Sequence, residues 1–136
     1  MSHIMLAELK AVLKWHCRNG ETIEQFFNRQ LHERIVDHRL TEPVGNVRSL
    51  QLSDEEVNVV EEFWATAELF KKFPPWHKRK NPARTDMPIV VFRGWERLLL
   101  IDGHSRINLW TATGNDGPHR MLVVEPKSDV IDPFKT

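Results

Sequence analysis

The stretch "LLLIDGHSRINLW", Leu98 to Trp110, sets four consecutive apolar residues before Asp102-Gly103-His104-Ser105-Arg106 and then returns to apolar positions at Ile107, Leu109 and Trp110. Leu98–Ile101 has the profile of a buried strand, whereas Ile107, Trp110 and Thr113 recur at close to helical spacing, so the period changes at Asp102-Gly103. A strand that runs directly into a helix needs a sharp turn, which Gly103 permits, and Gly114 then reads as the C-cap. The first amides of such a helix, Gly103 to Arg106, have no intrahelical acceptor, and the macrodipole adds about half a positive charge at that end. The pattern predicts a turn that receives a phosphate or carboxylate, with Arg106 offering a planar fork to its oxygens. His104 is the acid/base candidate and Ser105 a donor from the same turn. The same five residues also have a purely structural reading, in which Asp102 caps the helix, Gly103 relieves the turn and Arg106 pairs with an acid.

Working outward, "PIVVF" and "ERLLLI" flank Arg93-Gly94-Trp95 and predict two strands joined by a tight turn. On the other side, "NDGP" turns the chain into a last strand, "MLVVE". Ser53 with Glu56 has the form of a capping box, and Val57, Val60, Phe63, Trp64, Ala67 and Phe70 follow at helical spacing, which predicts a helix from Ser53 to about Phe70. "EPVGNVRSLQL" before it reads as a short extended segment. Two amphipathic helices are predicted at the N-terminus. The first carries Met5, Leu6, Leu9, Val12, Leu13 and His16 on one stripe and stops at Asn19-Gly20; the second is opened by Thr22 and Gln25 and carries Ile23, Phe26, Phe27, Leu31 and Ile35. Trp15, Trp64 and Trp110 fall on apolar faces and Trp76 and Trp95 in loops, while "KSDVIDPFKT" reads as a loosely attached tail.

The fold class expected from this order is α+β, a small mixed sheet with flanking helices. A chain of 136 residues fits a single domain 1–136, divided into a helical N-terminal extension (1–40), a core (44–126) and a tail (127–136). No apolar run approaches the roughly 20 residues that span a bilayer. The N-terminus lacks a signal-peptide layout, so a cytoplasmic location is expected. Cys17 is the single cysteine, which excludes an internal disulfide and a Cys-rich zinc site. Nineteen basic and nineteen acidic residues cancel, so any nucleic-acid partner depends on local charge. That local charge lies in "KKFPPWHKRKNPAR", Lys71 to Arg84, where six Lys or Arg residues stand with no acid. Lys78, Arg79 and Lys80 there are candidate phosphate contacts, and Trp76 beside them suits a stacked base. A solvated Pro-rich loop is the alternative reading.

The segment "PIVVFRGWERLLLIDGHSRINLWTATGNDGPHRMLVVE" resembles the core of the ParB/sulfiredoxin superfamily: a Pro-Ile-Val-Val strand, a short turn, a strand ending in Ile-Asp-Gly-His-x-Arg, a helix and a final strand. The similar region is roughly residues 44 to 126. The resemblance implies a ParB/sulfiredoxin-like fold and a turn that binds nucleotide phosphates, with Gly103, His104, Ser105 and Arg106 around the phosphate. The family includes partition proteins that bind CTP, sulfiredoxins, a free-serine kinase and domains labelled as nucleases. His104 stands where sulfiredoxins carry their reactive cysteine, which argues against sulfinic-acid repair. Ser105 replaces a second His or an Arg of many relatives, and only ten residues follow Pro126, too few for the helix-turn-helix domain of a partition protein.

The expected function is therefore a nucleotide- or phosphate-binding domain, with phosphoryl transfer or nucleotide hydrolysis as its reaction if it has one. Its cofactor would be a nucleotide (CTP, ATP or ADP) with Mg²⁺, with Asp102 a helper of the metal or a cap of the turn, and Asp102 and His104 the catalytic candidates. The alternatives are a DNA-binding or nuclease module using the same turn, and a non-catalytic module that binds a protein partner through the N-terminal helices. "HERIVDH", His32 to His38, is not a zinc-protease motif, because that motif needs its second His where Val36 stands. No metal-ligand set is expected. His119 would approach His104 if the last strand lay beside the helix's first turn.

Overall fold

A computed structural model describes residues 2–39, 49–74 and 86–132. Its elements, in chain order, are α1 (Ser2–Lys14), α2 (Ile23–Arg39), β1 (Val57–Trp64), α3 (Thr66–Lys72), β2 (Ile89–Gly94), β3 (Arg97–Asp102), α4 (His104–Thr113) and β4 (His119–Pro126). The four strands form one mixed sheet in the order β1-β4-β2-β3. β1 runs antiparallel to β4, β4 runs parallel to β2, and β2 forms an antiparallel hairpin with β3. This is a mixed α+β fold with a small sheet, as the element order in the sequence implied. Among the described residues no helix is long and apolar enough to cross a membrane.

Alternation along the strands divides the core in two, because successive side chains of a strand point to opposite faces. Val57, Val59, Val90, Phe92, Leu99, Ile101, Leu122 and Val124 face one way and pack with Leu6, Leu9, Val12 and Leu13 of α1 and Phe26, Phe27 and Leu31 of α2. Ile89, Val91, Leu100, Met121 and Val123 face the other way, against Leu69 and Phe73 at α3 and Ile107 and Trp110 of α4. β2 and β4 are apolar on both faces, as strands covered on both sides must be.

Local signals account for several boundaries. Thr22 and Gln25 form a reciprocal capping box at α2, each backbone N–H donating to the other's side-chain oxygen at 2.9 and 3.1 Å. Gly114 adopts the left-handed conformation (φ 71°) that closes α4. Trp110 is buried in the core, whereas Trp64 is half-buried and Trp15, expected on an apolar face, is exposed.

The helix expected from Ser53 to Phe70 is a strand, and only Thr66–Lys72 is helical. Ser53-Glu56 makes a single turn instead of a helix start: the Val57 amide donates to the Ser53 carbonyl at 3.2 Å, and Glu56 accepts from the Gln51 amide at 2.8 Å. From Val57 the chain pairs residue by residue with β4, Val57 opposite Pro126 through Trp64 opposite His119. "VNVVEEFW" satisfies both periods, and its β-branched residues find more contact in the pleated surface than in a solvated helix. The extended segment expected at 42–52 lies partly outside the described residues; Leu50 and Leu52 are buried without forming a strand.

The tail is docked as far as residue 132, not loosely attached. The Lys127 amide donates to the Glu56 carbonyl at 2.9 Å, the Trp95 indole N–H to the Val130 carbonyl at 3.3 Å, and Arg97 pairs with Asp132 at 2.8 Å. β3 is an edge strand, and Arg34 of α2 covers its end by donating to the carbonyls of Leu100 and Ile101.

Candidate functional site

The β3–α4 connection has the geometry read from "IDGHSR". β3 ends at Asp102, Gly103 takes φ 129°, and α4 begins at His104 with no side-chain hydrogen bond capping its N-terminus. The backbone at Gly103 packs closely: a Cβ there would lie 2.2 Å from Cδ1 of Ile89. Neither the dihedral nor the space admits another residue. His104 and Ser105 are partly exposed on the first turn.

Asp102 does not cap α4. Its Oδ2 accepts from Arg106 at 2.7 Å and lies 3.1 Å from Nε2 of His16, at the C-terminal end of α1. Burial pushes the Asp102 carboxyl up, but the hydrogen bond from His16 and the charge of Arg106 outweigh it and hold the group below the usual aspartate value. The carboxylate is therefore ionised and oriented by two donors.

Arg106 turns inward. Its side chain is 5% exposed. Besides the Asp102 contact, its Nη1 donates to the carbonyls of Met87 and, at 2.9 Å, of Pro88. These carbonyls mark the return of the chain from the basic stretch into β2, so Arg106 ties that return to the β3–α4 turn. A guanidinium so engaged is a structural clamp, and the fork expected to meet an anion is used inside the protein. Lys78, Arg79, Lys80 and Trp76 lie outside the described residues.

The structure brings Asp102, Gly103, His104, Ser105 and Arg106 together at one turn, as their adjacency requires, and adds His16. Sequence reasoning placed His16 on the stripe of α1 and read it as a surface or interface histidine, and no local signal pairs residues 86 positions apart. His119 is at the other end of α4. Its ring stacks on Trp110 with centroids 3.5 Å apart, and Nε2 is 2.7 Å from the Thr66 hydroxyl, which donates to the Asn115 carbonyl. His104 and Trp110 are six residues apart on α4, roughly 9 Å along the axis, so the meeting of His119 with His104 does not occur. Burial lowers the pKa of His119. Among the described residues no group of three or more His, Cys, Asp or Glu is arranged to hold a metal ion.

No protein-family model matches the chain, and no solved structure matches it. The chain is similar to a segment of the hybrid PKS-NRPS synthetase lepA of Aspergillus flavus, 30% identical over an alignment 128 residues long that takes in 85% of this chain. It spans 3% of the length of that relative.

Proposed function

We propose that the β3–α4 turn is an anion site and that the chain is a phosphate- or nucleotide-binding domain of ParB/sulfiredoxin-like architecture. The observation that carries this reading is the placement of Asp102. The N-cap position is Gly103, which has no side chain, and Asp102 just before it is committed to Arg106 and His16, so the N-terminus of a ten-residue helix is left without a side-chain cap. Amide donors and a positive dipole end then face the surface beside His104 and Ser105. Positive φ at Gly103 sets the direction in which those amides point.

The donor set fits a phosphate on the first turn of α4 better than a metal. Asp102 Oδ2 is shared by two cationic or donor groups, which makes it a poor Mg²⁺ ligand, and Arg106 is not available as a phosphate clamp. Residues for the anion are then the amides of the first turn, His104 and Ser105, with Lys78, Arg79 and Lys80 as further contacts from the basic stretch. Arg106 contributes by holding the turn in shape.

Isothermal titration with inorganic phosphate, CTP, ATP and ADP, each with and without Mg²⁺, tests the proposal. Binding of phosphate or nucleotide by the wild type is expected. Ser105→Asp places a carboxylate on the same amides and weakens that binding about tenfold, while stabilising α4 by about 0.5–1 kcal/mol. No binding of any of the four compounds refutes the reading. Salt-dependent retention of DNA in its place would favour the nucleic-acid module.

A further inference from the structure

We propose that His16 and Asp102 form a proton-transfer centre, in which Nδ1 of His16 is the base for a hydroxyl or water that reaches the β3–α4 turn. A comparison of two His–Asp contacts among the described residues shows why this pair is distinctive. His3 and Asp54 approach to 2.5 Å, but both are open to solvent, 75% and 44% exposed. In the other pair, Asp102 is 16% exposed and held from behind by Arg106, while His16 keeps 40% of its side chain exposed. The Phe26 ring lies nearly parallel to the His16 ring at 5.9 Å and limits its rotation.

With Asp102 ionised, Nε2 of His16 carries the proton of the shared hydrogen bond. Nδ1 is then the basic nitrogen, and it has no hydrogen-bond partner among the described residues. A buried carboxylate that fixes the tautomer and orientation of a partly exposed imidazole is the arrangement general bases require. The step it supports is balanced. The O–H proton passes to Nδ1 as that oxygen attacks an acyl or phosphoryl centre, and the imidazolium is stabilised against Asp102. It then returns the proton to the leaving oxygen as the bond between that oxygen and the centre breaks. Asp102 is a positioning residue here and His16 the group that meets the substrate. The ligand class is an ester or phosphoester, and the proposal does not depend on the helix N-terminus binding an anion.

The test uses the full chain. Wild-type protein treated with limiting diethyl pyrocarbonate and mapped by mass spectrometry is expected to show His16 modified faster than His3, although His3 is the more exposed of the two. p-Nitrophenyl acetate is the activity probe: His16→Gln removes most of the hydrolysis and His3→Gln leaves it unchanged. A slowly exchanging imidazole N–H resonance of His16 is expected by NMR and is lost in Asp102→Asn, which keeps the side-chain shape. If His16 reacts no faster than His3, the proposal fails, and that measurement on the wild type stands even where a variant does not fold. Unchanged ester hydrolysis in His16→Gln overturns it equally.

Discussion

Arg106 and Asp102 meet across one turn at the start of α4, with Nη2 2.7 Å from Oδ2 and the guanidinium almost wholly buried. The pair links β3, α4, α1 through His16 and the start of β2 through the Met87 and Pro88 carbonyls. Removing one partner of a buried ion pair leaves the other charge uncompensated. Arg106→Met is expected to destabilise the fold by about 3–5 kcal/mol in urea denaturation. Arg106→Lys recovers only part of this, because an ammonium cannot span a carboxylate and two carbonyls in one plane. Full stability in Arg106→Met would contradict the clamp.

Gly103 is irreplaceable on two counts, its φ of 129° and the 2.2 Å approach of a Cβ to Ile89. Gly103→Ala is expected to lower stability by about 3 kcal/mol, combining backbone strain and overpacking. Pairing it with Ile89→Val or Ile89→Ala separates the terms: the smaller neighbour relieves the clash and leaves the strain.

His119 acts first on the acid limb of stability, and below it Asp102 joins the arginine-paired carboxylates Glu8, Glu21 and Glu62, which are also held below their ordinary values. His119 has a folded pKa below its ordinary value of 6.5, through burial, so the unfolded chain takes up the proton first. Its contribution is complete above about pH 6.5 and is lost as pH falls from there through the folded pKa. Asp102 is also lowered, from 3.8, and its contribution is lost further down, as pH falls below the usual carboxylate range. Chemical denaturation from pH 8 to pH 3 is expected to show two descending steps. His119→Phe, which retains a ring against Trp110, removes the first and leaves the second.

The β2–β3 hairpin turns at Trp95 and Glu96, both in the left-handed region with φ of 51° and 64°, while Gly94 is the last residue of β2. Such a two-residue turn favours Asn-Gly, and Trp95 is held there by its ring against Phe92 at 5.4 Å and by its bond to Val130. Glu96→Gly is expected to raise stability by about 0.5 kcal/mol, the relief of left-handed strain net of added chain entropy. A fall in thermal midpoint would show that the Glu96 side chain contributes something the turn geometry does not reveal.

Much of the second half of the chain was legible without coordinates, because its signals are local. "PIVVF" and "ERLLLI" carry strand composition on both sides of a short break, the helix after Asp102-Gly103 ends on a glycine in the left-handed conformation, and "MLVVE" is apolar on both faces. The candidate site was legible as a position, the turn at Asp102-Gly103, and not as a set of contacts. Arg106 reads equally as a ligand for an external anion or as an internal clamp, since the sequence does not say which way a guanidinium four residues beyond an aspartate will point.

The amino-acid order alone determined the hairpin, the strand-to-helix turn and the two amphipathic N-terminal helices, since periodicity, caps and glycines act within a few residues of themselves. Tertiary structure decided what depends on partners far along the chain. Val57–Trp64 became a strand because β4 offered a pairing edge, residues 127–132 docked because Glu56, Trp95 and Arg97 received them, and His16 came to Asp102 because α1 packs on the sheet. A segment that fits both periods, or a charged side chain with several possible partners, has nearly balanced local energies, and burial against distant residues tips the balance.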